Sequence, residues 1–223
     1  MTATTEAGDK ATGMVTPAAA RAEFDAEVTY LDTATMGLPP RRSWLALQQA
    51  LAGWQAGTAD AVGYDKPLAE ARRSYARLVG VPPSAVAVGS QVSVFAGLIA
   101  ANLPAGSEVL TATGDFTSIL FPFLAQRGRG VKVREVPLER VADSVTRRTT
   151  LVAVSAVQSA DGRVIDLDAL HAATQTTGTK VLLDTTQAVG WLPVDASRFA
   201  WPPTPAASTS PQPGMPGSPP APP

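Results

Sequence analysis

Residues 179–190 read Thr-Lys-Val-Leu-Leu-Asp-Thr-Thr-Gln-Ala-Val-Gly. Val181, Leu182 and Leu183 form a short apolar run between a polar lead-in and a polar turn. A run of this length suits a strand buried on both faces of a parallel sheet. Asp184 then stands at the C-terminal end of that strand, with Gln187 and Gly190 following. In an open α/β sheet, ligands gather outside the carboxyl ends of the strands, so a carboxylate there faces the ligand side. The spacing equally allows Asp184 to cap the next turn and do nothing else.

The chain upstream repeats the same grammar. Ala85–Val88 reads as a short apolar strand, followed by the turn Gly89-Ser90-Gln91 and a helix from about Val92 to Asn102. Glu108–Thr111 is a strand, Thr113–Ser118 its rim turn, and Ile119–Gln126 a helix. Val131–Val136 is a strand, and Leu138–Arg147 a short helix with Asp143 and Arg147 spaced for an i,i+4 pair. Leu151–Val154 is a strand whose rim turn, Ser155–Gly162, carries Gln158, Ser159 and Asp161. Asp166–Thr177 is a helix stopped by Gly178; His171 within it reads as a structural residue. This alternation predicts an α/β fold, a mostly parallel sheet with helices on both faces.

Before the sheet, Val28, Tyr30 and Leu31 make an extended segment closed by the turn Asp32–Gly37. Pro39 and Pro40 open a helix. In it Trp44, Leu47, Leu51 and Trp54 recur at helical spacing and are expected in the core. Asp65-Lys66-Pro67 opens another helix, with Leu68, Ala71, Tyr75 and Leu78 as its buried face and Gly80 as its stop. Residues 1–22 are expected to be a mobile leader, 23–201 the folded body, and 202–223 a disordered Pro-rich tail with ten prolines and no charge.

Composition narrows the function. The chain has 223 residues, 45% of them hydrophobic, and a net charge of −1. No long basic run points to nucleic acid or to an anionic membrane. No apolar stretch is long enough for a bilayer-spanning helix. The sequence holds no cysteine, which removes disulfides, thiolate zinc sites and a thiol nucleophile, and fits a cytoplasmic protein. Neither Gly-x-Gly-x-x-Gly nor a Walker lysine pattern occurs, which ranks a nucleotide-binding domain last.

The four rim turns supply complementary chemistry. Gly89-Ser90-Gln91 precedes a helix N-terminus, where backbone N–H groups and the helix dipole favour a phosphate. Ser90, Gln91 and Ser93 add side-chain donors. Phe116 offers an aromatic face, Gln158 and Ser159 neutral hydrogen-bonding groups, and Asp184 with Gln187 a carboxylate and an amide. Together they suit a flat, phosphorylated, cationic heteroaromatic ligand.

From about Tyr30 to Trp201 the chain resembles the large domain of the class V, fold-type I, pyridoxal-phosphate enzymes, among them cysteine desulfurases, kynureninase and isopenicillin-N epimerase-like proteins. Tyr30-Leu31-Asp32-Thr33-Ala34 resembles the family's opening segment. Gly89-Ser90-Gln91 falls at its phosphate turn, with Gln91 in place of the usual Thr. Asp184, Gln187 and Gly190 fit its Asp-x-x-Gln/His-x-x-Gly pattern. The resemblance implies that Asp184 pairs with the pyridinium nitrogen and Gln187 with the phenolic oxygen of pyridoxal 5′-phosphate. It implies that Phe116 stacks on the ring, with Ser159, or Gln158 beside it, close by. It implies an amino-acid substrate and, for a complete homologue, a homodimer. It also implies a Schiff-base lysine on the turn after the next strand, where this sequence instead turns Pro-rich. The resemblance therefore reads as an incomplete large domain without catalytic competence. The alternative is a non-catalytic interaction module with a polyproline tail.

Overall fold

The computed structural model describes residues 16–199. They fall into two compact units that part between Ser74 and Tyr75. The expected tail, and most of the expected leader, lie outside the described residues.

The first unit is helical. Helix α1 (Pro17–Arg21) starts at Thr16, whose hydroxyl accepts from the Ala19 N–H at 3.2 Å. Pro17 sits in its first turn, where the missing N–H costs nothing. The 28–31 segment joins no strand, but the turn after it forms, with the Thr35 and Met36 N–H groups donating to the Asp32 carbonyl. Helix α2 (Arg41–Gln55) has the expected apolar stripe, but that stripe is not core. Trp44 is 49% exposed, Leu51 50% and Trp54 74%. Periodicity marks which side of a helix is apolar; burial needs a second layer against it.

Helix α3 (Asp65–Val79) crosses the division between the units. Its buried positions are Ala76 and Val79, whereas Leu68, Tyr75 and Leu78 are exposed. The apolar stripe is real, but only its last turn is buried. Gly80 ends the helix at φ +71°, a left-handed conformation that glycine adopts without strain.

The second unit carries the sheet. Helix α4 (Val92–Ala101) precedes β1 (Glu108–Ala112), α5 (Thr117–Leu124), β2 (Lys132–Val136), β3 (Thr149–Ser155), α6 (Leu167–Thr177) and β4 (Lys180–Asp184). All pairings are parallel, in the order β2-β1-β3-β4. The chain winds from β1 outward to β2, then returns to the other side of β1, so the direction reverses between β1 and β3. That switch opens a crevice at the carboxyl ends of these two strands.

Both faces of the sheet are covered, as the near-continuous apolar strands demand. On one face Val109, Leu151 and Ala153 pack with Ala96 and Ala100 of α4 and Ile119 and Phe123 of α5. On the other, Leu110, Val152, Val154 and Val181 pack with Leu138 and Val141 of the segment after β2 and with Leu170 of α6. Consecutive residues alternate between the faces because successive strand side chains point oppositely.

Two expected elements differ. Residues 86–89 join no strand; Val86 is extended (φ −97°, ψ 117°). Val86 and Leu183 of β4 instead line an apolar cavity of about 450 Å³, together with Val79, Val194 and Phe199. An extended run becomes a strand only when a partner edge lies at hydrogen-bonding distance. Residues 138–147 are not one helix but two single 3₁₀ turns, Leu138–Arg140 and Ala142–Ser144, ending in extended Val145. Asp143 pairs with Arg140 at 3.7 Å, three residues back. Val141, Asp143, Ser144 and Val145 are weak helix formers, and a helix of that length has little cooperativity to spare. Helix α6, by contrast, is capped as expected. Asp166 Oδ1 accepts from the Asp168 and Ala169 N–H groups at 3.0 and 2.9 Å, and Gly178 ends the helix at φ +72°.

Glu108 anchors the far end of the sheet. Burial alone would push its carboxyl up, but hydrogen bonds from Arg134 (3.2 Å) and Thr149 Oγ1 (3.1 Å), with the Arg134 and Arg148 charges, hold it below the ordinary glutamate value. A depressed folded value means the unfolded chain binds the proton more readily. The stabilisation is therefore fully present above about pH 4.3 and is lost as pH falls through the folded value. Replacing Glu108 by Gln should cost about 1 kcal/mol at neutral pH and flatten the acid limb of a stability-versus-pH curve. An equally steep limb in the variant would count against this account.

Candidate active-site rim

Strand pairing and side-chain hydrogen bonds at the carboxyl ends of the strands link three of the four expected turns directly. Asp184 closes β4, is 9% exposed, and pairs in register with Ser155 of β3. Its carbonyl accepts from the Ala156 N–H at 2.8 Å, which ties the two rims side by side. The side chain does cap the following turn: Oδ1 accepts from the Thr186 N–H (2.9 Å) and hydroxyl (2.6 Å). Both of those bonds end on Oδ1, so the turn engages one carboxylate oxygen and leaves Oδ2 outside it. Capping and ligand reading are compatible.

Gln187 lies in the turn after Asp184, half-buried. Its carbonyl accepts from Trp191 Nε1 at 2.6 Å, and Gly190 has φ +109°, a conformation side-chain-bearing residues avoid.

Across the crevice, Phe116 is the N-cap residue of α5, and the residue is 51% exposed. An aromatic ring left half in solvent beside a buried carboxylate cluster is suited to stack on a flat ligand. Behind it lies Asp115, only 5% exposed. Its Oδ1 accepts from the Phe116 N–H (2.8 Å) and Ser155 hydroxyl (2.5 Å), its Oδ2 from the Ser155 N–H (2.9 Å) and, more weakly, Gln158 Nε2 (3.4 Å). The sequence puts Asp115 in the rim turn and shows no task for it. A single carboxylate after a strand is the only local signal it offers.

Between Ser159 and Gln158, the two positions considered beside the ring, the structure separates their settings. Gln158 is 4% exposed and joins the Asp115 cluster. Ser159 is exposed, at the tip of a turn closed by the Gly162 N–H donating to the Gln158 carbonyl and the Gln158 N–H to the Arg163 carbonyl.

Ser90 and Gln91 are exposed at the start of α4. Gln91 is the N-cap residue and makes no side-chain capping bond, so the first turn's N–H groups have no side-chain acceptor from it. Gly89 has a packing reason. A Cβ there would stand 2.4 Å from Phe95 Cζ. Replacing Gly89 by Ala should cost about 1–3 kcal/mol, and a second change, F95L, should restore part of the loss; a neutral G89A in thermal melts would show that the ring yields freely.

A parallel sheet covered on both faces by helices, with Phe116 exposed and Asp184 buried at its carboxyl rim, places the chain among the open α/β proteins. The aminotransferase class-V profile matches residues 30–201, and the chain belongs to that family. It is 30% identical over 196 residues to a probable cysteine desulfurase of Aeropyrum pernix, covering 79% of this chain and 48% of that protein. It is 28% identical to an uncharacterized aminotransferase, YcbU, of Bacillus subtilis, over 58% of this chain and 37% of that protein. Among solved structures, a C-DES mutant with glycine covalently linked to its PLP cofactor superposes with a TM-score of 0.69 at 22% identity. It covers 78% of this chain and 51% of that one. The apo cysteine desulfurase of Thermococcus onnurineus superposes with the same TM-score at 19% identity, covering 83% and 51%. The chain spans about half the length of these relatives or less. Among the described residues, no helix is long and apolar enough to cross a membrane, and no cluster of His, Cys, Asp or Glu could hold a metal.

Proposed function

We propose that this chain carries the cofactor-facing half of a pyridoxal-phosphate site of an amino-acid-transforming enzyme of the class V family. The observation that carries the reading is the rim. Asp184 has one oxygen outside its own turn, faces the same edge as exposed Phe116, and sits on the strand next to the buried Asp115–Ser155–Gln158 cluster. These residues fit the group. Asp184 would hold the protonated ring nitrogen, Phe116 the ring face, Gln187 the phenolic oxygen, and Ser90, Gln91 and the first turn of α4 the phosphate. Ser159, or Gln158 beside it, would lie close to the ring. Bound there, pyridoxal 5′-phosphate supplies an electron sink for chemistry at an amino acid's α-carbon.

The chain's own lysines do not serve as a covalent anchor in this reading. Among the described residues, Lys180 begins β4 and Lys132 begins β2. Lys180 is thus at the opposite end of the strand from Asp184, roughly 13 Å away at ~3.3 Å per residue. Lys66 lies in the first turn of α3. The reading is of noncovalent cofactor binding and no turnover by this chain.

The test is titration of the chain with pyridoxal 5′-phosphate, followed by its absorbance, in the presence and absence of inorganic phosphate. Saturable binding that phosphate competes away is expected, with no adduct on Lys10, Lys66, Lys132 or Lys180 after borohydride reduction. Absence of binding at millimolar cofactor, or a reduced adduct on one of those lysines, would defeat the reading.

A further inference from the structure

We infer that Asp115 is a positioning residue that locks the aromatic platform and an amide of the rim into one arrangement. The inference rests on the cofactor-site reading for its purpose, but its geometry stands alone.

The paired register between β1 and β3 ends at Leu110 and Val152, while β3 continues to Ser155. Ser155 is left with a buried N–H and hydroxyl on the side facing β1, beyond the last paired residue of that strand. A buried donor without a partner is costly. Asp115, three residues past the end of β1, meets both with its carboxylate. The side chain thus takes the place of the strand that has run out. The same carboxylate accepts from the Phe116 N–H, which fixes the backbone of the residue whose ring is exposed.

It also orients Gln158. A carboxylate only accepts, so the Gln158 amide must turn its NH₂ towards Asp115; Nε2 also reaches the Ser155 carbonyl at 3.4 Å. The amide oxygen is then directed away from the clasp. Gln158, rather than Ser159, is the neutral group that this rim holds in a set orientation, and it offers a ligand an acceptor. One buried carboxylate therefore joins the β1 rim, the β3 rim and the turn after it.

The test compares the chain with its D115N and S155A variants by residue-resolved amide hydrogen exchange, with pyridoxal 5′-phosphate titration alongside. The Asn substitution keeps the shape but brings a donor against donors; S155A removes one donor and keeps the carboxylate. The Phe116 and Ser155 amides should exchange about tenfold faster or more in D115N, and less so in S155A. The Leu170 amide, on the far face in α6, should stay as in the parent. Cofactor affinity should fall severalfold in the same order. A role confined to general stability would accelerate Leu170 equally, and that result overturns the inference, as does unchanged exchange at the rim. If D115N does not fold, S155A decides by the same comparison. If the parent binds no cofactor, the cofactor-site reading fails while the exchange comparison still decides the clasp.

Discussion

Replacing Asp184 by Asn should weaken binding of pyridoxal 5′-phosphate about thirtyfold while leaving the fold in place. The asparagine carbonyl can still accept from the Thr186 N–H and hydroxyl, the two bonds that end on Oδ1 in the parent. The turn after β4 therefore survives, and the cost in stability should be about 1 kcal/mol, that of one amide donor brought into a buried site. What is lost, on the proposed cofactor reading, is the negative charge that would face a cationic ring nitrogen. A charge-assisted hydrogen bond in a largely desolvated site contributes about 1.5–3 kcal/mol, and ~2 kcal/mol is a thirtyfold change in affinity. D184A, by contrast, removes the cap as well, and should lose both stability and affinity. The pair of variants separates the two roles that sequence alone left open. Full affinity in D184N would show that Asp184 is only a cap.

The same pair shows how much of the rim was legible. The apolar run Val181–Leu183 and the carboxylate ending it are local, and the strand and the cap both followed. Helix α6 was legible for the same reason: its N-cap and its left-handed stop are written within it. The parallel, two-faced sheet was legible from alternation alone. What could not be read is what depends on a neighbour distant in sequence. Ala85–Val88 has the composition of a strand, but pairing is decided by the distance to another edge, and here Val86 and Leu183 line one apolar cavity without pairing. Trp44 and Trp54 lie on an apolar stripe, but nothing local says whether a second layer covers it. Asp115 is the clearest case. Its task exists only because Ser155, forty residues later, arrives with two unpaired donors. No window along the chain contains both.

Leu151→Ala and Leu170→Ala should each cost about 2–5 kcal/mol and do so from opposite faces of the sheet. Both side chains are fully buried. Leu151 packs towards α4 and α5 with Ile119 and Phe123, and Leu170 of α6 packs with Leu110 and Val152. Each truncation loses the transfer free energy of the removed carbons and leaves a cavity that rigid strands close poorly. Against a total stability of about 5–15 kcal/mol, either change is a large fraction. The sign of the two effects follows from burial; their form tests the architecture. Residues 151 and 152 are adjacent in β3 yet serve different faces, so the strand couples the two helix layers mechanically. If sheet and layers are one cooperative unit, urea unfolding followed at the sheet and at α6 should give one transition in each variant, shifted to lower urea with the slope unchanged. If L170A instead released α6 at a separate, earlier midpoint while β1 and β3 kept the parent's, the faces would be independent. The Asp115 clasp would then rest on the α4–α5 face and the sheet alone, and the rim would outlast the loss of α6.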